Sequence, residues 1–243
     1  MIKKLEGIII SEVDYKESSK IINIFTKDYG IIGVLARGAK RLKSNFTGVT
    51  TKLTYGYFYL NYKEKGLSIL NEVEIINPLR NIKKSLTLIS FASYITELVS
   101  QVYKHENNIN IYDLYINAIL NLEDNMDPLV ITNIIELKLL NYLGITPNLN
   151  SCVSCDNINV VTISSYKGGL LCNSCKGNEK IVHPKTIKLI RIFYYVDISK
   201  INKIEVSDNI KNEINEFIDD YYERYSGLYL KSKEFIKKYL LNT

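Results

Sequence analysis

The hydrophobic periodicity of this 243-residue chain changes at Asn77-Pro78, and that change limits the possible folds more than any other feature. Before it, apolar residues alternate with polar ones or form short β-branched runs, as they do in strands. After it, they recur every three or four residues, as on one face of a helix. An α+β fold is therefore predicted, with a strand-rich domain at 1–77 and a helical domain at 78–243.

The first domain is predicted to contain five strands that close into a small barrel. No helical periodicity separates the first three strands, and a turn signal at 27–30 joins the second strand to the third. Tyr55, Tyr57 and Tyr59 share one face of the fourth strand, and that face could lie inside or outside the barrel. The strands are expected near residues 5–13, 20–25, 31–36, 54–62 and 67–75.

The second domain is predicted to be a helical bundle. Its central helix begins at Asp127-Pro128, where Asp can cap the helix and Pro suits the first position, and it ends at Gly144. Carboxylate pairs such as Glu123-Asp124 and Asp219-Asp220 are expected at solvated helix faces or ends. The other helices are expected near residues 88–103, 111–122, 184–196, 208–225 and at the C-terminus.

The net charge of +5 is confined to the first third of the chain. Residues 1–80 hold 13 Lys and Arg against 8 Asp and Glu, whereas residues 81–243 hold 18 of each. The stretch from Tyr29 to Lys63 has no acidic residue and carries six basic ones. Because the excess charge is gathered in one stretch, the sequence predicts a surface there that faces an anion.

All four cysteines lie in one 24-residue window, as two CxxC pairs separated by 16 residues. Each CxxC turn can direct two thiolates at one ion, and a hairpin between the pairs can bring the two turns together. Four sulfur ligands suit tetrahedral Zn²⁺ and leave no coordination position open. We therefore predict a module at 150–178 with one structural zinc ion, bound by Cys152, Cys155, Cys172 and Cys175.

Other roles of the cysteines fit the sequence less well. Disulfides are disfavoured because the cytosol is reducing, and a thioredoxin-like motif is disfavoured because the pairs occur in tandem outside a βαβ unit. An iron–sulfur cluster is compatible with the same spacing. Four thiolates leave about two negative charges around Zn²⁺, which Lys167, Lys176 and Lys180 offset only in part. The module is therefore expected to order a loop rather than to bind phosphate.

No catalytic centre is evident in the sequence. His105 and His183 are the only histidines and are expected at the surface or as helix caps, and there is no HExxH, His-x-Glu or phosphate-loop motif. No apolar run is long enough to span a membrane, and the N-terminus does not resemble a signal peptide. A non-enzymatic protein of the cytoplasm is therefore expected.

Taken together, these features resemble the RecO family of bacterial recombination mediators along essentially the whole chain. The most specific matches are the basic segment RGAKRLKS at 37–44 and the end of the zinc module, GGLLCNSC at 168–175. The segment LKS at 230–232 is a supporting match. Since not every family member keeps the cysteines, the chain resembles the zinc-containing type.

The resemblance implies an N-terminal OB-fold, a helical domain interrupted by the zinc module, and no enzymatic activity. It implies binding of single- and double-stranded DNA, annealing of complementary strands and association with the partner RecR. It also implies binding to the acidic, apolar-ended tail of single-strand-binding protein and help in loading RecA during repair at the nucleoid. Among many candidates for contact with that tail are Lys185, Lys188 and Arg191.

The charge pattern supports the DNA-binding part of this resemblance. A basic loop on a barrel can follow a phosphate backbone, and such contacts suit a mediator because they do not depend on base sequence. Tyrosines on the outside of the barrel would add base stacking. The residues expected to contact DNA are Arg37, Lys40, Arg41 and Lys43, followed by Ser44 and Lys52.

A different binding function fits the same composition. A zinc-ribbon protein that contacts RNA or the transcription machinery through an OB barrel would share the charge and the cysteines. Tighter binding to structured RNA than to single-stranded DNA at equal salt would favour it. An enzyme, such as a zinc-dependent deaminase or a thiol oxidoreductase, is disfavoured by the missing His-x-Glu and by the closed set of four cysteines.

Overall fold

The chain folds into two compact units. The computed structural model describes residues 1–201 and 204–241, so the predicted C-terminal helix is followed to residue 241 and its last two residues lie outside the described part. One unit comprises Met1–Ser85 and Asn107–Ile116, and the other comprises Leu86–Glu106 and Asn117–Thr243. The domain boundary after residue 77 stays a prediction.

Strands come first and helices second, as the change in periodicity predicts. Every predicted strand and helix is present, with ends that differ by a few residues, and a short unpredicted helix follows the fifth strand. The strands are β1 (Ile2–Tyr15), β2 (Ser19–Thr26), β3 (Gly30–Ala36), β4 (Tyr55–Asn61), β5 (Ser68–Asn77), β6 (Val160–Ser164) and β7 (Gly169–Cys172). The helices are α1 (Arg80–Lys84), α2 (Leu86–Glu106), α3 (Ile111–Glu123), α4 (Pro128–Tyr142), α5 (Pro184–Tyr195), α6 (Asp208–Tyr225) and α7 (Lys231–Ile236), with a 3₁₀ turn at Ile198–Lys200 and a π-helical turn at Lys237–Leu241.

The first five strands close into the predicted barrel, in the order β1-β2-β3-β5-β4. All neighbouring pairs are antiparallel except β3 and β5, which are parallel. Alternate residues of each strand point inward. On β4 the completely buried Phe58 and Leu60 point into the core, so Tyr55, Tyr57 and Tyr59 lie on the outside of the barrel.

The start of α3 belongs to the barrel unit and covers part of its outer surface. The ring of Phe25 lies 5.4 Å from that of Tyr112 and 6.1 Å from that of Tyr115, measured between centroids. The hydroxyl of Tyr112 donates to Glu6 at 3.2 Å. The start of α3 therefore covers the outer surface of β2 near Phe25, and this part of the barrel is not exposed to solvent.

The helices of the second unit pack around α4. This helix contacts α2, α5 and α6, and most of its residues are buried, as its continuous apolar sequence predicts. Asp127 caps it by accepting hydrogen bonds from the N–H groups of Leu129 and Val130 at 3.0 and 3.1 Å. Within the described ranges 1–201 and 204–241, no helix is both long enough and apolar enough to cross a membrane.

The expectation of solvated carboxylate pairs is wrong for two residues: Glu123, at the end of α3, is buried, and Asp219 lies in a buried cluster. The carboxylate of Asp219 pairs with Lys233 at 2.8 Å and with Lys237 at 3.0 Å. Lys233 also pairs with Glu136, a buried residue in the middle of α4. The reason is that α7 packs against the bundle and covers Asp219, which a helical pattern within α6 alone does not reveal.

Candidate functional site

The basic loop at 37–44 follows β3 and is anchored through its backbone and its small residues. Lys40 donates its N–H to a carbonyl in the turn between β1 and β2 at 2.9 Å, and Arg41 donates to the carbonyl of Gly38 at 3.0 Å. Gly38 has φ 68°, a left-handed conformation that glycine adopts without strain. Ala39 is buried in the barrel core. The loop therefore has a defined shape, and its charged side chains point away from the core.

Four of the predicted DNA contacts are exposed on this loop, namely Arg37, Lys40, Arg41 and Lys43. The ammonium group of Lys40 lies 2.5 Å from the carboxylate of Asp14, and this hydrogen bond lowers the pKa of Asp14 below its usual range. The other three make no ion pair with any residue that the structure describes. Three uncompensated positive charges on an anchored loop are suited to contact with phosphate groups.

The two remaining predicted contacts, Ser44 and Lys52, are only partly exposed. The hydroxyl of Ser44 accepts a hydrogen bond from the N–H of Phe46 at 3.1 Å, so this side chain helps to shape the end of the loop. Lys52 lies further along the chain, in the irregular segment before β4. Contact of either residue with DNA stays a prediction.

The outward face of β4 carries aromatic rings beside carboxylates. Tyr55 is buried, and its hydroxyl donates to Glu6 at 2.9 Å. Burial, reinforced by that bond, raises the pKa of Tyr55, so it remains a neutral donor. Tyr59 donates to Glu74 at 3.0 Å, and Tyr57 lies between these two tyrosines on the same face. Negative charges beside the rings make this face a poor surface for a phosphate backbone.

The four cysteines come together in the second unit. Their sulfur atoms all lie within 4.8 Å of one another, and those of Cys155 and Cys172 are 3.6 Å apart. A tetrahedral zinc ion with Zn–S bonds of about 2.3 Å requires sulfur separations of roughly 3.8 Å. The four sulfur donors therefore fit one tetrahedral metal ion. No other cluster of potential metal ligands occurs among the residues that the structure describes.

Two tight turns and the β6-β7 hairpin position these sulfur atoms. The N–H of Asp156 donates to the carbonyl of Cys152 at 2.9 Å, and the N–H of Lys176 donates to that of Cys172 at 3.0 Å. Each CxxC segment thus folds back on itself, which directs both of its sulfur atoms to one side. The antiparallel hairpin brings the second turn beside the first, as the spacing predicts.

The cysteine thiols influence one another's ionisation. A backbone hydrogen bond from Cys172 lowers the pKa of the Cys152 thiol to about 6. Hydrogen bonds with the thiols of Cys155 and Cys172 raise the pKa of Cys175 to about 12. Sulfur atoms this close cannot all ionise without a compensating charge. A divalent cation would stabilise all four thiolates together.

A groove beside the cysteine module was not predicted from the sequence. It measures about 480 Å³ and is lined by apolar residues of β6, of the segment before α5 and of α5 itself. Ile158, Ile181 and Ile192 are exposed along it. Lys188 lines it and is exposed, whereas Arg191 is tied to the carbonyls of residues 149 and 150 at 2.7 and 3.0 Å. An apolar groove with one basic edge results.

Two family models match the chain and together cover most of it. "Recombination protein O N terminal" matches residues 1–79, and "Recombination protein O C terminal" matches residues 83–234. The curated relatives named DNA repair protein RecO include those of Bacillus subtilis (37% identical), Halalkalibacterium halodurans (39%) and Listeria monocytogenes serovar 1/2a (33%). Each alignment covers 97% of this chain and 94% of the relative. The chain therefore belongs to the recombination protein O (RecO) family of DNA repair proteins.

Proposed function

We propose that the protein is a recombination mediator that binds single- and double-stranded DNA and anneals complementary strands. Together with RecR, it helps to load RecA onto strands coated by single-strand-binding protein, in the cytoplasm at the nucleoid. The observation that carries this proposal is the anchored basic loop at 37–44 on the barrel of a RecO-family chain. In this function the protein binds and positions DNA strands, which requires no catalytic residue.

The loop binds the phosphate backbone through Arg37, Arg41 and Lys43. Lys40 contributes less, because its charge is already paired with Asp14. Phosphate contacts carry no sequence information, so the same loop can bind any strand that requires repair. Neutralising the phosphates of two complementary strands also lowers their mutual repulsion, which favours annealing.

One structural zinc ion is bound by the four cysteines. The ion supplies a cross-link between the two CxxC turns. The module needs this cross-link to stay folded because its own apolar cluster is small. The cluster consists mainly of Leu171 and the side chains of Cys152 and Cys172. All four ligands come from the protein, so the ion has no open position and takes no part in a reaction.

The groove beside α5 receives the tail of single-strand-binding protein. An acidic tail that ends in apolar residues matches an apolar groove with a basic edge, and Lys188 supplies that edge. Lys185 is exposed one turn earlier on α5, while the charge of Arg191 is directed at backbone carbonyls. Lys188→Glu should abolish tail-peptide binding in a fluorescence anisotropy titration, whereas the control Lys200→Glu, on an exposed turn, should not.

An annealing assay tests the proposed function directly. Complementary strands coated with single-strand-binding protein are mixed with the protein, with and without RecR, and duplex formation is followed by loss of a single-strand signal. Faster annealing with the unaltered protein than with the Arg37/Arg41/Lys43→Ala variant is expected. Equal rates with and without the protein would refute the proposal. Tighter binding of structured RNA than of single-stranded DNA would support the RNA-binding alternative instead.

A further inference from the structure

Tyr29 and Tyr62 form an aromatic pair at the end of the barrel where β1 begins. Tyr29 lies in the turn between β2 and β3, Tyr62 directly follows β4, and their ring centroids are 4.9 Å apart. The ammonium group of Lys3 lies 4.3 and 4.2 Å from the two centroids and donates to the Tyr29 hydroxyl at 2.7 Å. A cation held against two aromatic rings is a combination that binds both the phosphates and the bases of a nucleic acid.

Both rings are mounted on ordered backbone. The N–H of Tyr29 donates to the hydroxyl of Thr26 at 3.1 Å, and that hydroxyl donates to the carbonyl of Gly30 at 2.8 Å. The N–H of Tyr62 donates to the carbonyl of Met1 at 3.4 Å, and its ring packs against the barrel core. Tyr29 remains 41% exposed. An exposed ring in a fixed turn loses little conformational freedom when a base stacks on it.

The charges around this pair favour an anion, in contrast to those on the outward face of β4. Within three residues of the two tyrosines, together with Lys3, four lysines stand against two carboxylates. Around Tyr57 and Tyr59, the neighbouring strands place one lysine against three carboxylates. That lysine also lies 4.0 and 5.3 Å from the centroids of these two rings, but its charge is paired with a glutamate at 3.0 Å. The first set is Lys3, Lys27, Lys63, Lys65, Asp28 and Glu64. The second set is Lys4, Glu6, Glu72 and Glu74.

We propose that Tyr29 and Tyr62, with Lys3, form a base-stacking site for single-stranded DNA that is separate from the phosphate-binding loop at 37–44. The inference rests on the proposed DNA-binding function of this barrel. The two sites lie at opposite ends of β3, which spans about 20 Å. One strand can therefore contact both, with its phosphates at the loop and its bases at the tyrosine pair.

Because the chain contains no tryptophan, a single substitution gives a local fluorescent reporter. Tyr29→Trp is titrated with oligothymidylate, and Tyr57→Trp, on the acidic face, is the matched control. Quenching of Trp fluorescence in the first variant and little change in the second are expected. Binding is measured in parallel by the anisotropy of labelled oligothymidylate. Clear binding without quenching in Tyr29→Trp would overturn the stacking site and leave the DNA-binding function intact.

Affinity gives a second readout that does not depend on the reporter. Tyr29→Ala should weaken binding of oligothymidylate by roughly 5- to 150-fold, the effect of losing one stacked base, while Tyr57→Ala should change it less than twofold. The dependence of affinity on salt should stay the same in Tyr29→Ala, because no phosphate contact is lost. Unchanged affinity in Tyr29→Ala would refute the site. If the unaltered protein binds no DNA, the proposed function fails, and this inference with it.

Discussion

The ammonium group of Lys233 lies 2.7 Å from a carboxylate oxygen of Glu136, in the interior of the helical unit. The side chain of Glu136 is 1% exposed and that of Lys233 is 12% exposed. The hydroxyl of Tyr94 donates to the same oxygen at 2.5 Å, and Asp219 shares the ammonium group at 2.8 Å. Burial raises the pKa of Glu136, and the charge of Lys233 opposes that rise. Two carboxylates thus share one lysine of α7, and Asp219 has Lys237 as a second partner.

Replacing Lys233 with Met should lower the free energy of unfolding by about 3–5 kcal/mol, because it leaves the buried carboxylate of Glu136 without a cation. Urea unfolding followed by circular dichroism measures this change. Lys237→Met is the control, since that side chain is 46% exposed and its pair with Asp219 is expected to contribute at most about 1 kcal/mol. A loss for Lys233→Met no larger than that of the control would contradict the prediction.

The same variant should show a characteristic dependence on pH. Without the lysine, the hydrogen bond from Tyr94 still opposes the effect of burial but the larger opposing charge is gone, so the pKa of Glu136 in the folded state rises further above the value in the unfolded chain. A carboxyl group with a raised pKa supports folding below its unfolded pKa and ceases to do so as pH rises through the folded pKa. The difference in stability between Lys233→Met and the unaltered protein should therefore be smaller near pH 4 than near pH 7. A difference that does not vary with pH would show that Glu136 is not the group left unpaired.

The sequence could predict the barrel and the cysteine cluster because both depend on short-range patterns. The alternation of inward and outward side chains around Phe58 and Leu60 is a property of one strand. Likewise, two CxxC turns joined by a hairpin are enough to determine where the four sulfur atoms meet. Alternation alone could not show which face of β4 points into the barrel, since both faces carry aromatic residues. The acidic neighbours Glu6 and Glu74, contributed by other strands, distinguish them.

The buried ion pair and the tyrosine pair could not be predicted for a related reason. Glu136 and Lys233 are 97 residues apart, and each looks like an ordinary polar residue in its own helix. Tyr29 lies in a turn and Tyr62 at the end of the strand predicted at 54–62, and the periodicity of a single strand does not show which residue of another strand or turn lies beside it. Only closure of the barrel places them together, because β1 pairs with β4 on one side and with β2 on the other.

The basic loop should account for most of the salt dependence of DNA binding. Changing Arg37, Lys40, Arg41 and Lys43 together to Ala removes up to four phosphate contacts, so the log–log salt slope for duplex DNA should fall by about 3–4 units. Fluorescence anisotropy at several salt concentrations measures the slope. Lys104→Ala, exposed in the last turn of α2, is the control and should leave the slope unchanged.

Single substitutions refine this prediction because one of the four charges is paired. Arg41→Ala should reduce the slope by nearly one unit and Lys40→Ala by less, since Asp14 already compensates Lys40. Asp14→Asn should strengthen binding at low salt, and this gain should vanish when Lys40 is also changed to Ala. A quadruple variant with the slope of the unaltered protein would eliminate the loop as the DNA-binding surface.

The cysteine module should contain one zinc ion per chain and should depend on it for its structure. Elemental analysis of freshly purified, reduced protein is expected to find one zinc, and iron in its place would indicate an iron–sulfur cluster. A chelator should increase hydrogen exchange in residues 150–178, because this segment has too few apolar contacts to stay folded alone. Exchange in the barrel strands is the internal control and should not change. Metal-free protein with a protected module would contradict the prediction.

Gly169 should be required for the hairpin because its Cα lies directly against another backbone segment. A Cβ at this position would lie 2.4 Å from the carbonyl oxygen and 2.8 Å from the nitrogen of Asn148, so Gly169→Ala must displace backbone atoms. The neighbouring Gly168 has φ 80° and open space around it, so Gly168→Ala costs only the roughly 1–2 kcal/mol of a left-handed alanine. The N–H of Asn148 donates to the carbonyl of Gly168 at 2.9 Å, and the N–H of Leu170 donates to the carbonyl of Asn148 at 2.9 Å. Hydrogen exchange at Leu170 therefore measures whether this contact between the two backbone segments is kept. In Gly169→Ala, hydrogen exchange at Leu170 should therefore increase strongly and the zinc content should fall. In Gly168→Ala, both should change little. The same response in both variants would refute the steric argument.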